Sequence, residues 1–161
     1  MSEMLDLSVL VSQVQGSRTV LDRIDTYYEE FTSTRMNRSS PSREDAIVLS
    51  EILVNYYTAL ETIFLRVSQA FENNLPPDRW HAELLDRMTL EIPEVRPRVL
   101  SDACHSGLRE IMRFRHFKRY YFEFDYDWDK LSFLEKKYLA ARDCVQRDLE
   151  SFLEQCRNAR T

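Results

Sequence analysis

Apolar residues recur along this chain at alternating intervals of four and three, the spacing of helices that each bury one stripe. Through 42–73 the positions Leu49, Leu53, Tyr56, Leu60, Ile63, Val67 and Ala70 keep that rhythm. Ser42 supplies an N-cap there, Glu44 and Asp45 place negative charge in the first turn, and NNLPP at 73–77 stops the helix. A second long helix is predicted over 129–157, with Leu131, Leu134, Tyr138, Ala141, Val145, Leu149, Phe152 and Cys156 on one face and Asp129 as cap. Over 4–33 a third stripe runs through Leu7, Leu10, Val14, Leu21, Ile24, Tyr28 and Phe31, weakened at Gly16 and Ser17 but read as one helix. A shorter helix is expected over 78–91, capped by Asp78, and Pro97 opens a long one over 98–123, closed by the acidic stretch EFDYDWD. The prediction is an all-α, up-and-down bundle of four long helices and one short helix in one domain over residues 1–161.

Composition agrees, since 2 Gly and 5 Pro in 161 residues supply too little turn chemistry for an all-β chain. The N-terminal stretch MSEMLDLSVLVSQ carries acids where a secretory signal carries Lys or Arg. Apolar runs such as AIVL and TIFL fall far short of the ~18–20 residues of a membrane span, so a soluble, cytoplasmic protein is expected, with no membrane role. Cys104, Cys144 and Cys156 form no C-x-x-C pair and lie on apolar stripes, and they read as reduced core thiols. No metal and no cofactor is expected. The net charge of −5 gives no uniformly cationic surface, so any contact with RNA is local.

One helix breaks its own pattern. On a wheel of about 100° per residue, Arg115 falls inside the stripe formed by Leu100, Cys104, Leu108, Ile111 and Phe122. A buried guanidinium without a partner costs several kcal/mol, so this position must face a carboxylate, a cluster of carbonyls or a cleft reaching water. Arg119 lies one turn further on, and Arg109, His116 and Tyr120 share a flanking face. Arg109, Arg113, Arg115, Lys118 and Arg119 against Glu110 make five cations to one anion, a local excess of +4. That patch fits either a solvated face answering the acidic 123–129 segment or a phosphate-binding surface. Phe114, Phe117, Tyr120, Tyr121 and Phe122 crowd the same stretch and suit packing or base stacking.

The run MRFRHFKRYYFEFDYDWDKL (112–131) resembles the signature helix of HepT-like HEPN-domain proteins, the toxin partners of minimal nucleotidyltransferases. NYYTALETIFLRVSQAFENNLPPDRWHAELLDRM (55–88) and RPRVLS (96–101) are similar to the same family, in the same order, so the resemblance covers about 50–155. It implies a helical bundle that dimerises through helix 98–123, and a metal-independent endoribonuclease with a motif of Arg, four residues, His, one residue, Tyr. The motif Arg falls on Arg115, the polar residue after it on His116, the motif His on Tyr120 and the motif Tyr on Phe122. Two positions therefore depart from the pattern. A tyrosine with a pKa near 10 is a poor base at neutral pH, though it donates a hydrogen bond to phosphate. Phe122 has no hydroxyl, so a nucleotidyltransferase that adenylylates its toxin would have to use Tyr120 or Tyr121.

The residues also offer a substitute. Arg109 and His116 form an Arg, six residues, His pair on one face, placing an imidazole, the side-chain type suited to proton transfer, beside cations. The expected catalytic set is Arg115, His116 and Tyr120, with Arg109, Arg113, Lys118 and Arg119 binding phosphate. The bland alternative for His116 is packing at the dimer seam, and His81 and His105 read as structural. Three functions stay open: a toxin-type endoribonuclease acting on RNA as a homodimer and neutralised by a minimal nucleotidyltransferase, an inactive module that binds that partner or a nucleotide, and a bundle with no ligand.

Overall fold

Each apolar stripe needs a facing surface, and in the computed structural model the stripes face one another across five helices. These are α1 (Leu7–Thr34), α2 (Arg43–Phe71), α3 (Trp80–Met88), α4 (Asp102–Lys118) and α5 (Trp128–Asn158). The structure describes residues 7–72, 80–118 and 124–159, without the side chains of residues 80–82. The predicted caps of the short helix (Asp78) and the segment with Arg119, Tyr120, Tyr121 and Phe122 lie outside the described residues.

Cross-helix bonds give the directions. Arg66 on α2 reaches Ser17 on α1, Tyr28 on α1 reaches Glu135 on α5, and Ser101 at the head of α4 reaches Asp148 on α5. Neighbours therefore run antiparallel in an up-and-down bundle, as the sequence predicts. α2 touches all four other helices, and Leu49, Leu53, Tyr56, Tyr57, Leu60, Ile63, Phe64 and Val67 are fully buried along it. By length and composition α2 is apolar enough to cross a membrane, yet it is the bundle's central helix and its apolar side chains line the core. Tyr138 of α5 sits edge-on to both Tyr28 and Tyr56, with ring centroids 4.9 Å away in each case.

The α2 start follows the sequence closely. Asp45 N donates to Ser42 Oγ (3.0 Å) while Ser42 N donates to Asp45 Oδ2 (2.9 Å), a complete capping box. Gly16 does not interrupt α1. Three boundaries differ. The α5 cap is Asp127, not Asp129, because Asp127 Oδ1 accepts from Asp129 N (2.9 Å). α3 closes at Met88, where the amides of Thr89 and Leu90 turn back onto Asp86 O and Arg87 O. α4 begins at Asp102, since Val99 N and Leu100 N donate to Met88 O and hold 97–101 extended from the α3 end. Buried Arg96 locks that joint: Nη2 donates to Glu72 Oε1 (3.1 Å) and Arg87 O (2.9 Å), and Nη1 to Leu90 O (2.9 Å). Such a cation complements a helix C-terminus. In the turn before it, Pro93 is followed by Glu94 at φ 63°, and Val95 N donates to Ile92 O (3.0 Å).

The cysteines correct the expectation of three reduced thiols. Cys104 of α4 and Cys144 of α5 are joined as a disulfide with a Cα–Cα distance of 5.7 Å, and Cys156 alone is free and buried. Both stripes meet at one level, where Gly107 faces α5: a Cβ there would make ordinary van der Waals contact with Lys137 O (3.5 Å) and Ala141 Cβ (3.7 Å).

Leu60→Ala is expected to cost about 2–5 kcal/mol in urea melts, as a cavity in the centre of the bundle. Glu94→Gly, which relieves a left-handed backbone at the second central turn position, is expected to stabilise by up to about 1 kcal/mol in the same assay.

Candidate functional site

The stripe-breaking arginine turns inward. Arg115 is 8% exposed; its Nη2 donates to Glu61 Oε2 at 2.6 Å and its Nη1 to Thr58 Oγ1 at 3.3 Å. Its guanidinium carbon lies 4.9 Å above the centre of the Tyr57 ring. Carboxylate, hydroxyl and ring face together satisfy charge that burial would otherwise make costly. Burial pushes the Tyr57 hydroxyl well above the ordinary tyrosine range. Glu61 stands on the α2 flank next to seam residue Leu60 and, at 8% exposed, is itself buried. Its partnership with Arg115 is absent from the sequence reading, and the available signal was a single acid beside an apolar seam.

A second rung lies below the first. Lys118 Nζ donates to Glu51 Oε2 at 2.7 Å, so α2 meets the end of α4 through Glu51, Thr58 and Glu61 in antiparallel register. Arg113 is exposed and pairs with Glu110 (3.2 Å). Much of the +4 excess counted along the chain is therefore answered by carboxylates. Arg109 is exposed and forms no ion pair among the described residues.

The outward face of α4 carries Arg109, Arg113 and His116, all exposed. The structure thus keeps Arg109 and His116 on one face, as expected, and separates Arg115 from them by turning it to the α2 side. The aromatic cluster divides as well. Phe114 is buried, with Tyr126 6.5 Å from it between ring centroids, whereas Phe117 beside His116 is 55% exposed. Phe114, Phe117, Tyr126, Lys130 and Leu131 line a shallow groove of about 180 Å³ next to that face.

Elsewhere, His105 has company that the sequence did not predict: Asp86 Oδ1 lies 2.6 Å from its Nε2 and ties α4 to α3. Cys104, Cys144 and Asp148 bring metal-ligating atoms within 4.8 Å of one another, but the two sulfurs are bonded together and Asp148 Oδ2 accepts from Ser101 N and Oγ at 2.8 Å each. The head of α4 is thus a structural joint, in which Asp148 supports the capping serine.

The model of a protein family described as "HepT-like protein" matches residues 48–156. No curated protein and no solved structure matches the chain. The matched span takes in α3, α4 and nearly all of α2 and α5, and so both rungs between α2 and α4.

Replacing Glu61 by Leu takes the carboxylate from a buried guanidinium and is expected to cost about 3–5 kcal/mol by chemical denaturation. The double variant Glu61→Leu with Arg115→Met is expected to recover most of that loss. Equal losses in single and double variants would show that the pair is not coupled.

Proposed function

The chain belongs to the HepT-like protein family, of HEPN type, and from that premise we propose that it is the toxin-type member of a toxin–antitoxin pair: a metal-independent endoribonuclease that works as a homodimer in the cytoplasm. The observation that carries this reading is the exposed α4 face, on which His116 follows Arg109 and Arg113 and stands beside the exposed ring of Phe117. RNA cleavage through the 2′-hydroxyl needs such a set. The 2′-oxygen attacks phosphorus, the bond to the 5′-oxygen breaks, one proton leaves the 2′-hydroxyl and one reaches the departing oxygen. The products carry a 2′,3′-cyclic phosphate and a free 5′-hydroxyl.

His116 is the group suited to moving those protons near pH 7. A second copy facing it through the 98–123 region supplies another His116, so base and acid come from different chains. Arg109 and Arg113 hold the phosphate, joined by Arg119 and by Lys118 as it exchanges Glu51 for a phosphate oxygen, and Tyr120 donates a hydrogen bond to a phosphate oxygen. In this scheme Arg115 is a positioning residue: anchored on Glu61, it sets the rotation of α4 that turns His116 outward.

The proposed partner is a minimal nucleotidyltransferase antitoxin, with Tyr120 or Tyr121 as the adenylyl acceptor. One observation favours a second reading, in which the domain no longer cleaves RNA and only binds that partner or a nucleotide. The motif arginine, Arg115, is already held by Glu61 inside its own chain.

Purified in chelator, the protein is expected to cut RNA to cyclic-phosphate ends, and His116→Ala to lower the rate by about 100-fold or more at unchanged melting temperature. Inert wild-type protein that still binds a nucleotidyltransferase encoded beside it would establish the second reading instead.

A further inference from the structure

Of the six charged residues of α1, four pair with α5, leaving only Arg23 and Glu30 exposed without a partner there. The four run Arg18 to Gln146 and Glu150, Asp22 to Gln146, Asp25 to Tyr138, and Glu29 to Arg142. Along the opposite edge run Val9, Gln13, Gly16, Val20, Arg23 and Tyr27, at intervals of four and three, all exposed, with one charge among them. Val20 is 44% and Tyr27 42% exposed. Thr19 and Thr26 flank this seam, and their hydroxyls donate back to Gln15 O and Asp22 O, so both are satisfied within the helix. Beside it the α1–α2 groove opens to about 600 Å³, lined largely by Val20, Ile24, Tyr27, Ile47, Val48 and Ile52.

The seam matches itself when reversed. In an antiparallel pair of identical helices with the two-fold beside Arg18, Val9 of one copy lies level with Tyr27 of the other, Gly16 with Val20, and Gln13 with Arg23. Each layer sets a small residue against a larger one, or an amide oxygen against a guanidinium, and no charge meets its like. Gly16 is the centre of the match. A Cβ there meets nothing within 4 Å in the single chain, so the bundle itself gives no reason for a helix-weakening glycine. A second helix approaching at that level does.

We propose that α1 is a homotypic docking surface, on which a second copy of this chain packs its own α1 antiparallel along the Val9–Tyr27 seam and beside the α1–α2 groove. This goes beyond the proposed RNA chemistry and stands apart from it, because α1 and α4 share no contact among the described residues and α1 lies outside the family match. Pairing through both surfaces closes at four chains when the two two-fold axes cross at right angles, and pairing through α1 alone makes two.

The test is the mass of the full-length protein by light scattering at tens of micromolar, with melting recorded in parallel. Gly16→Gln fills open space in the single chain and adds a better helix former, so the fold keeps or raises its melting temperature. The assembly mass is expected to halve, whether it begins at four copies or two. Val20→Glu is expected to do the same. In addition, Gly16→Cys with Val20→Cys is expected to cross-link chains under oxidation, giving a dimer band that reductant removes. A wild-type protein that stays single, or a Gly16→Gln variant with the wild-type assembly mass, would overturn the proposal.

Discussion

The desolvated ion pair between Arg115 and Glu61 is the constraint around which the functional half of the molecule is arranged. A guanidinium in an apolar interface tolerates few positions, because each hydrogen bond to it must be kept while water is excluded. Glu61 Oε2, Thr58 Oγ1 and the Tyr57 ring supply those contacts from one side of α2, which fixes both the depth and the rotation of α4. Once that rotation is set, residues on the other side of α4 have no choice of direction. Arg109, Arg113 and His116 face solvent because Arg115 cannot.

The same principle, buried polar partners fixing the register of apolar stripes, recurs across the bundle. Tyr28 Oη donates to Glu135 Oε1 at 2.5 Å, and Arg38 Nη2 from the α1–α2 connection reaches the same oxygen at 2.8 Å. Tyr138 donates to Asp25, whose carboxyl burial holds above the usual range. Arg96 performs a comparable task for the short helix, binding the end of α2 and the end of α3 together. Apolar packing provides most of the stabilisation, and these links select one alignment among several of similar packing.

Much of the fold was legible in the chain because helical periodicity is a local property. The seams through α1, α2 and α5 were readable residue by residue, as was the Ser42 cap. The head of α4 was not: Pro97 suggested a start, whereas the backbone of 99–100 is bound to Met88, a contact that no local pattern encodes. The disulfide was missed for a similar reason, since only the level at which two stripes meet brings Cys104 to Cys144. For the site, the wheel demanded a carboxylate, a cluster of carbonyls or a wet cleft opposite Arg115 but could not choose among them, nor pick Glu61 from the acids of other helices. Charge counting along 109–119 likewise could not foresee that Glu51 and Glu61 would neutralise two of its cations.

The two ends of α4 are secured by different chemistry. At its head stand a covalent bond between sulfurs and a serine held by Asp148; at its tail stand ionic contacts, one dry and one at the surface. Solution conditions therefore address the ends separately. A reductant loosens the head and leaves the cationic tail seated, whereas added salt screens the surface contact of Lys118 and barely reaches Arg115. The helix behaves as a beam with one bolted and one magnetic support, and the chemistry of its outward face sits nearer the magnet.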